Sequence, residues 1–274
     1  MRPFATNDPR RDEDRFVVGL YHKSKRNFWD PQDIDLELDQ QDWQGLSPQG
    51  QDTLLHLSAL FVAGEEAVTL DLAPYLLRVS QAGRYDEALY VATWTFEEAK
   101  HAEFFDRLHR EVCQAPDLSH YHGESYRHIF YEALPGAMSA LVTDPSPAAE
   151  ARALTTYNLV VEGILAETGY RAYKEVLEQT GLLPGLRQGL AHIQADEGRH
   201  IAYGLHALRK LIEASPEART AVEETLAILV PEAVGVVREI FEVHQPMPFP
   251  LEEATFVDYA FRQLQHRLEA LENP

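Results

Sequence analysis

The chain has 274 residues, with 24 lysines and arginines against 44 aspartates and glutamates, so its formal net charge is −20 at pH 7. An acidic chain without a basic stripe argues against nucleic-acid binding and against docking on an anionic membrane surface. Its hydrophobic content of 45% is too high for a disordered chain, and its one cysteine, Cys113, excludes an internal disulfide and a cysteine-based zinc site.

Helical periodicity predicts the elements in chain order, with Ser47 as the N-cap and Pro48 as the first residue of a long helix running towards Gly83. Further helices are predicted over about 86–112, 124–134, 147–180 and 186–214, and two more precede the C-terminus. No stretch alternates as a strand does between turn residues. Long helices with short connections predict an all-α, antiparallel four-helix bundle.

We predict a single domain over residues 1–274. Residues 1–46 are expected to form an irregular arm packed on the helices, about 47–214 to form the bundle, and 215–274 to supply additional helices. No apolar run reaches the length of a membrane span, and the N-terminal segment lacks the apolar stretch of a signal peptide. We therefore expect a cytoplasmic protein without a membrane span.

Two of the predicted helices carry the same short motif, Glu-x-x-His. It places Glu98 before His101 in TFEEAKHAEFF, and Glu197 before His200 in ADEGRH. Residues three apart share a helix face, so each pair can bind one metal ion. Both faces are otherwise apolar, where an unpaired charge would be very costly. The alternative to a metal site is that each pair forms only a buried His–Glu hydrogen bond. In that case the presence of the same motif in two separate long helices would be a coincidence.

A bundle site of this kind also needs one carboxylate from each of the two other helices. Glu65 and Glu66 both lie on apolar stripes of the first long helix, so periodicity does not choose between them. On the fourth helix Glu162 shares its face with apolar residues, whereas Glu167 shares its face with basic side chains and is expected to form an exposed ion pair. Glu162 is therefore the predicted ligand.

The spacing of these residues forms a rough internal repeat, because 33 residues separate Glu65 from Glu98 and 35 separate Glu162 from Glu197. The four carboxylates, with two neutral imidazoles, carry a charge that matches two divalent cations. Ligation this rich in oxygen suits iron or manganese rather than structural zinc.

An acid precedes each of the two motif glutamates. We expect Asp196 to hydrogen-bond a ligating histidine and so to orient it. Its structural alternative is a solvated acid at a helix edge. Glu97 stands in the equivalent place in the other motif and is a weaker candidate for the same role.

Three segments, TFEEAKHAEFF, YNLVVEGILAETGY and ADEGRHIAYG, resemble the ligand-binding oxidases related to the ribonucleotide reductase small subunit. The resemblance covers about residues 50–210. By position it selects Glu65 over Glu66 and supports the other ligands, which are Glu98, His101, Glu162, Glu197 and His200. It implies a ferritin-like fold, a homodimer, activation of O2 and a cofactor of one manganese and one iron ion, with two irons as the alternative. It also implies a long-chain fatty acid whose carboxylate approaches the metals through an apolar channel.

That family forms an ether cross-link between a valine and a tyrosine, and the resemblance places it at Val68 and Tyr157. Val68 follows Glu65 by one turn, so regular helix geometry can direct it to the site. Tyr157 precedes Glu162 by five residues, which is about 140° away on a regular helix. A π-bulge would reduce that mismatch. The tyrosine assignment thus rests on the resemblance, and a half-buried core tyrosine is its alternative.

Two other functions fit part of the pattern. A ribonucleotide reductase small subunit commonly has a radical tyrosine four residues after its first ligand histidine, where this chain has Phe105, and the C-terminal stretch lacks the tyrosine expected for radical transfer. Some reductases carry phenylalanine there, so this alternative stays open. A ferritin-like storage protein would need to assemble into a cage with an exit route for iron. The N-terminal arm and the additional C-terminal helices disfavour such an assembly. We therefore predict an oxidoreductase.

Overall fold

The computed structural model describes residues 14–272, and none of these residues belongs to a strand, so the all-α class is confirmed. The α-helices of this range are α1 Arg15–Arg26, α2 Glu37–Gly45, α3 Pro48–Asp71, α4 Ala73–Gln81, α5 Tyr85–Arg107, α6 Glu124–Arg127, α7 Leu134–Ala140, α8 Pro147–Leu154, α9 Glu167–Thr180, α10 Pro184–Ala214, α11 Pro216–Val243 and α12 Glu253–Glu272. The π-helical segments are Leu108–Cys113, His128–Ala133 and Thr155–Ala166, and short 3₁₀ turns lie at Pro31–Asp33 and Ser119–Tyr121.

The four long helices of the bundle are α3, α5, α10 and the continuous helix made of α8, the π segment 155–166 and α9. α3 packs on α5, the π segment packs on α10, and α5 contacts α10. α11 and α12 cover the π segment from the other side. The predicted start of α3 is confirmed, because the Ser47 hydroxyl accepts a hydrogen bond from the Gly50 N–H at 3.1 Å.

Two predicted helix boundaries differ in the structure. The first long helix divides into α3 and α4 at Leu72, because Pro74 has no N–H to donate and its ring clashes with the carbonyl group four residues earlier. The third predicted helix, 124–134, continues to Ala140 and contains a π segment over 128–133.

The prediction of an irregular N-terminal arm is wrong for α1 and α2, while residues 1–13 of that arm lie outside the described range. Asp14 caps α1 by accepting a hydrogen bond from the Val17 N–H at 3.2 Å, and α1 packs on α5. α2 is acidic and only weakly amphipathic, so its sequence does not reveal it. Its buried Asp39 accepts hydrogen bonds from the N–H groups of Gly185 and Leu186 in the first turn of α10, so tertiary contacts hold this helix.

The stretch 48–81 is the one part of the described range whose length and composition would suit a membrane span, with a mean hydropathy of 1.3 over its most apolar window. Half of that window is buried inside the protein, and the stretch includes the buried Glu65. Its apolar character is that of a bundle-core helix.

Candidate metal centre

The six ligands that the sequence predicts converge in the middle of the bundle. They form two groups of four side chains, and within each group one ligand atom per residue lies within 4.8 Å of the others. The groups are Glu65, Glu98, His101 and Glu197, and Glu98, Glu162, Glu197 and His200. All six side chains are buried. Glu98 and Glu197 belong to both groups, so each lies where its carboxylate can bridge two ions.

The competing glutamates lie outside these groups. Glu66 is exposed, although its neighbour Glu65 is buried in the cluster. Glu167 lies 3.9 Å from Arg267, and Arg171 pairs with Glu175 instead. The structure therefore places Glu65 and Glu162, rather than their alternatives, among the candidate ligands.

Several buried atoms of this cluster have no hydrogen-bond partner among the described residues. They are Glu98 Oε2, His101 Nδ1, Glu162 Oε1, Glu197 Oε2 and His200 Nδ1. His101 Nδ1 is 3.3 Å from Glu98 Oε2, and His200 Nδ1 is 3.5 Å from Glu162 Oε1. An unpaired buried polar atom costs about 1–3 kcal/mol, so five together need an explanation. Two cations would satisfy these lone pairs, and the residues present therefore fit a two-metal centre.

In Glu98 and Glu162 the other carboxylate oxygen is held by a neighbouring side chain. The Trp94 indole donates to Glu98 Oε1 at 2.7 Å, and the Asn158 amide donates to Glu162 Oε2 at 2.6 Å. Asn158 can approach because Gly204 faces it, where a Cβ atom would lie only 2.3 Å from the Asn158 Cγ. These contacts fix the Glu98 and Glu162 carboxylates and leave one oxygen of each without a hydrogen-bond partner among the described residues.

The two ligand histidines are oriented by acids that cross between the motifs. Asp196 Oδ2 lies 3.2 Å from His101 Nε2, and Glu97 Oε2 lies 2.9 Å from His200 Nε2. The acid that precedes each glutamate thus serves the histidine of the other helix. This contact fixes the ring tautomer and leaves Nδ1 available to a metal. Asp196 lies where the sequence predicts it, and Glu97 makes a contact of the same kind.

Two buried basic side chains, Lys100 and Arg199, balance the charge of these acids, and neither was predicted from the sequence. Lys100 Nζ lies 3.1 Å from Asp196 Oδ2, and Arg199 Nη2 lies 2.5 Å from Glu97 Oε1 and also contacts Asp196. The signal was present in the sequence, because both motifs read acid-Glu-x-base-His. The base before each histidine pairs with an acid of the other motif, so the outer layer is close to neutral.

The pKa values of the cluster show that it holds protons when no cation is bound. Burial raises the pKa of Glu65 to about 8 and raises the pKa of Glu162 well above its ordinary value. Burial alone would lower the pKa values of His101 and His200, but the surrounding carboxylates raise both. Metal ions must displace these protons in order to bind.

We therefore expect metal affinity to fall as pH falls. A carboxyl group with a pKa of about 8 is ionised above that pH and protonated below it, so competition by protons grows from about pH 8 downwards. The apparent affinity should fall about tenfold per pH unit for each proton displaced. Competition with a chelator for Mn²⁺ between about pH 8 and about pH 6 measures this. An affinity that does not change over that range would contradict the expectation.

The π segment 155–166 brings Tyr157 to the same side of its helix as Glu162. In a π-helix the backbone hydrogen bonds join residues five apart, so these two residues lie about one turn from each other. The buried Tyr157 hydroxyl is 3.1 Å from Glu98 Oε1 and 3.3 Å from the Val68 carbonyl oxygen. This π segment, Thr155–Ala166, removes the angular mismatch that a regular helix would leave between the two residues. The structure therefore places Val68 and Tyr157 side by side, against the candidate ligands.

An apolar pocket opens beside the cluster. Its inner end is lined by Glu65, Val68, Glu98, Glu162 and Glu197. The remaining wall is mostly apolar and comes from α3, α6, the π segments 128–133 and 155–166, α9, α11, the segment before α12 and α12 itself, including Leu57, Phe61, Leu165, Phe241, Leu251 and Phe256. About 930 Å³ of space in it is not filled by atoms, its open mouth included. The pocket thus joins the candidate metal centre to an apolar surface opening.

The position of a reductase radical tyrosine is Phe105. Its ring is fully buried and stacks on Phe61 at a centroid distance of 5.2 Å. It carries no hydroxyl group, so a phenoxyl radical cannot form at this position.

Four helices that surround two ion sites with four carboxylates and two histidines define the class of ferritin-like dinuclear-metal proteins. The model of the family described as ribonucleotide reductase, small chain, matches residues 11–271. The chain belongs to the ribonucleotide reductase small-chain family.

Solved structures of R2-like ligand-binding oxidases are similar to 94% of the chain. One with an aerobically reconstituted Mn/Fe cofactor after a long soak is 35% identical, with a TM-score of 0.89 over 94% of this chain and 93% of that one. A valine-to-isoleucine variant with the same cofactor is 35% identical, with a TM-score of 0.90 over 94% of both chains. A tyrosine-to-phenylalanine variant is 36% identical, with a TM-score of 0.88 over 94% and 93%. The ferritin-like fold is confirmed.

Proposed function

We propose that the chain is an oxidase that activates O2 with one manganese and one iron ion. The observation that carries this proposal is the set of buried, unpaired ligand atoms between four bundle helices. The similar R2-like ligand-binding oxidases, which are reconstituted with Mn/Fe, support the choice of metals. Two irons remain the alternative, because affinity trends favour iron over manganese and selection must come from geometry.

Each group of four ligands would hold one ion, with Glu98 and Glu197 shared between them. When bound, the two ions supply the electrons that reduce O2 and the oxidising power that follows. The chain's own residues prepare the site for this chemistry. Asp196 and Glu97 hold the histidine rings, and Trp94 fixes Glu98. The apolar wall of the pocket keeps bulk water from the centre.

Oxygen uptake tests this function. Protein loaded anaerobically with Mn²⁺ and Fe²⁺ should consume O2 when mixed with aerated buffer, in proportion to its content of paired ions. Metal-free protein and protein loaded with Zn²⁺, which has no redox chemistry, serve as controls. The proposal is contradicted if fully loaded protein consumes no more O2 than the zinc form does.

We propose a long-chain fatty acid as the ligand of the apolar pocket. Its hydrocarbon chain would bury apolar surface against the wall, and its carboxylate would meet the cations at the inner end. We also propose a homodimer, which rests on the resemblance alone, and a cytoplasmic location.

Leu165 lines this pocket, so replacing it by tryptophan should fill the space and remove the fatty acid. Organic extraction of metal-loaded protein followed by mass spectrometry measures the bound lipid. Leu70→Trp is the matched control, since Leu70 is 65% exposed on α3 and does not line the pocket. We expect fatty acid in the wild type and the control, with strong depletion in Leu165→Trp. Equal amounts in both variants would contradict the assignment.

We also propose an ether bond between Val68 and Tyr157. Formation of this bond removes one hydrogen from the Val68 side chain and one from the Tyr157 hydroxyl. These two electrons and two protons, together with two electrons that the ions would supply and two protons from solvent, would complete the four-electron reduction of O2 to two water molecules. The Tyr157 hydroxyl lies 3.3 Å from the backbone carbonyl oxygen of Val68, and this proximity of the two residues supports the pairing.

A ribonucleotide reductase radical subunit is the second candidate, because the family match covers nearly the whole chain. Phe105 weighs against it, since the buried ring at that position has no hydroxyl group. The test is to add this protein to a reductase large subunit and to measure ribonucleotide reduction. Activity that appears on addition would favour this candidate over the oxidase.

A further inference from the structure

A row of buried aromatic rings leads away from the candidate metal centre on the side of α5 and α10. Trp94 is fully buried, and its ring centroid lies 5.2 Å from that of His200 and 5.0 Å from that of Tyr157. Tyr203 continues the row, with its centroid 5.8 Å from that of Trp94. Indole and phenol rings are the side chains most readily oxidised by one electron, apart from thiols. This row therefore offers short electron-transfer steps to a ligand histidine.

The hydroxyl group of Tyr203 is paired with a proton acceptor. It donates to Glu87 Oε2 at 2.9 Å and lies 2.8 Å from the hydroxyl of Tyr75, which can donate to it. Burial, together with the nearby Tyr75 and Glu87, raises the pKa of Tyr203 well above its ordinary value. Tyr203 is therefore a neutral phenol at physiological pH, and it can lose an electron at low cost only if its proton moves to Glu87.

Glu87 connects this tyrosine to the surface. Its other oxygen lies 3.5 Å from Lys210 Nζ, whose side chain is half-exposed, and Arg84 Nη1 lies 3.0 Å from Glu87 Oε2. Lys210 in turn contacts Asp14 at 3.2 Å. A proton accepted by Glu87 thus lies beside the half-exposed Lys210 side chain.

Tyr90 lies beside the same rings but lacks these partners. Its centroid is 5.0 Å from that of Tyr203, and its fully buried hydroxyl has no hydrogen-bond partner among the described residues. Oxidation of Tyr90 would leave a charged phenol in an apolar setting, which is very costly. Of Tyr90 and Tyr203, Tyr203 is the one whose hydroxyl donates to a carboxylate that can receive its proton.

We propose that Tyr203 is a redox relay that delivers single electrons to the oxidised two-ion centre through Trp94. In this step the Tyr203 hydroxyl gives its proton to the Glu87 carboxylate and one electron to Trp94, leaving a neutral tyrosyl radical and a protonated Glu87. The electron passes on to the centre, whose oxidising power comes from O2. The inference rests on the proposed oxidase function.

The chemistry of the cross-link creates a need for such a relay. The Val68–Tyr157 bond can form only once in each chain, so any later reduction of O2 must draw electrons from elsewhere. A competing route leaves on the opposite side, where the Trp29 indole donates to Asp196 Oδ2 at 2.8 Å and Asp196 contacts His101. The two routes end on different aromatic residues, so they can be distinguished.

The test uses full-length protein carrying Tyr157→Phe, which cannot form the ether bond and has no phenol at the centre. Anaerobically loaded protein is mixed with O2, frozen within the reaction time and examined by electron paramagnetic resonance. We expect a tyrosyl radical whose hyperfine pattern changes when the tyrosines are deuterated. Adding Tyr203→Phe should abolish that signal, whereas adding Tyr90→Phe, the matched control, should leave it. Adding Glu87→Gln should lower its yield, because an amide cannot accept the proton.

Metal content and oxygen uptake are measured on the same samples. A tyrosyl signal that persists in the Tyr203→Phe protein, or a radical on tryptophan alone, would overturn the relay and favour the Trp29 route. Absence of any radical from protein that binds both ions and consumes O2 would also overturn it. Samples that bind no metal or consume no O2 would instead refute the proposed oxidase, and the relay with it.

Discussion

Replacing Glu98 by alanine should remove both metal ions from the chain, whereas replacing Glu65 should remove only one. Glu98 belongs to both ligand groups, but Glu65 belongs to the group of His101 alone. Loss of a shared carboxylate therefore leaves both groups one ligand short and removes a negative charge that both cations need. Glu162→Ala should resemble Glu65→Ala, since Glu162 belongs only to the group of His200. Metal analysis of desalted protein by mass spectrometry gives the number of ions per chain.

Glu66→Ala is the control for this series. Glu66 is exposed and adjacent to Glu65, so its loss changes the net charge equally but should leave both ions bound. Circular dichroism would show that each variant remains helical. Equal metal loss in the Glu65 and Glu98 variants would contradict the two-group arrangement, and metal loss in the Glu66 variant would reopen the choice between neighbouring glutamates.

Tyr157→Phe should abolish the covalent link between α3 and the π segment 155–166 while leaving both ions bound. The variant lacks the oxygen atom that closes the ether, but every candidate ligand is present. Val68→Ala should also prevent the link, because alanine lacks the tertiary C–H of the valine side chain. Peptide mapping of metal-loaded, air-oxidised protein detects the linked segments by their joined mass, which lacks two hydrogens.

Two core substitutions control for packing in this experiment. Tyr90→Phe removes a hydroxyl group that has no hydrogen-bond partner among the described residues, and Val160→Ala shortens a fully buried valine on the same helix as Tyr157. Both should retain the link. If the wild type yields only free peptides after full loading and oxidation, the chain does not make this bond.

The apolar stripes and the two Glu-x-x-His motifs were sufficient to predict the bundle and five of its six candidate ligands, and the family resemblance selected the sixth, Glu65. A 3.6-residue period places Glu98 with His101 and Glu197 with His200 whatever the rest of the fold does. Burial then explains why the structure brings these charged side chains together, since only a common cation site makes four buried carboxylates tolerable. Helical periodicity alone left Glu65 and Glu66 equivalent, because both lie on apolar faces of α3.

Other features of the site depend on contacts that cross between helices. The pairing of Glu97 with His200, and of Lys100 with Asp196, joins residues about one hundred positions apart. A single helix face cannot reveal such a pairing, although the shared order acid-Glu-x-base-His hinted at it. α2 is held by Asp39 at the start of α10 rather than by its own periodicity. Local patterns therefore missed it.

The central claim is that this chain binds two different ions and uses them with O2. Metal content per chain tests it most directly, after anaerobic loading with equal Mn²⁺ and Fe²⁺, exposure to air and desalting. The account predicts two ions per chain, one manganese and one iron. Two irons with little manganese would contradict the mixed cofactor, and a chain that retains no metal would contradict the metal centre itself.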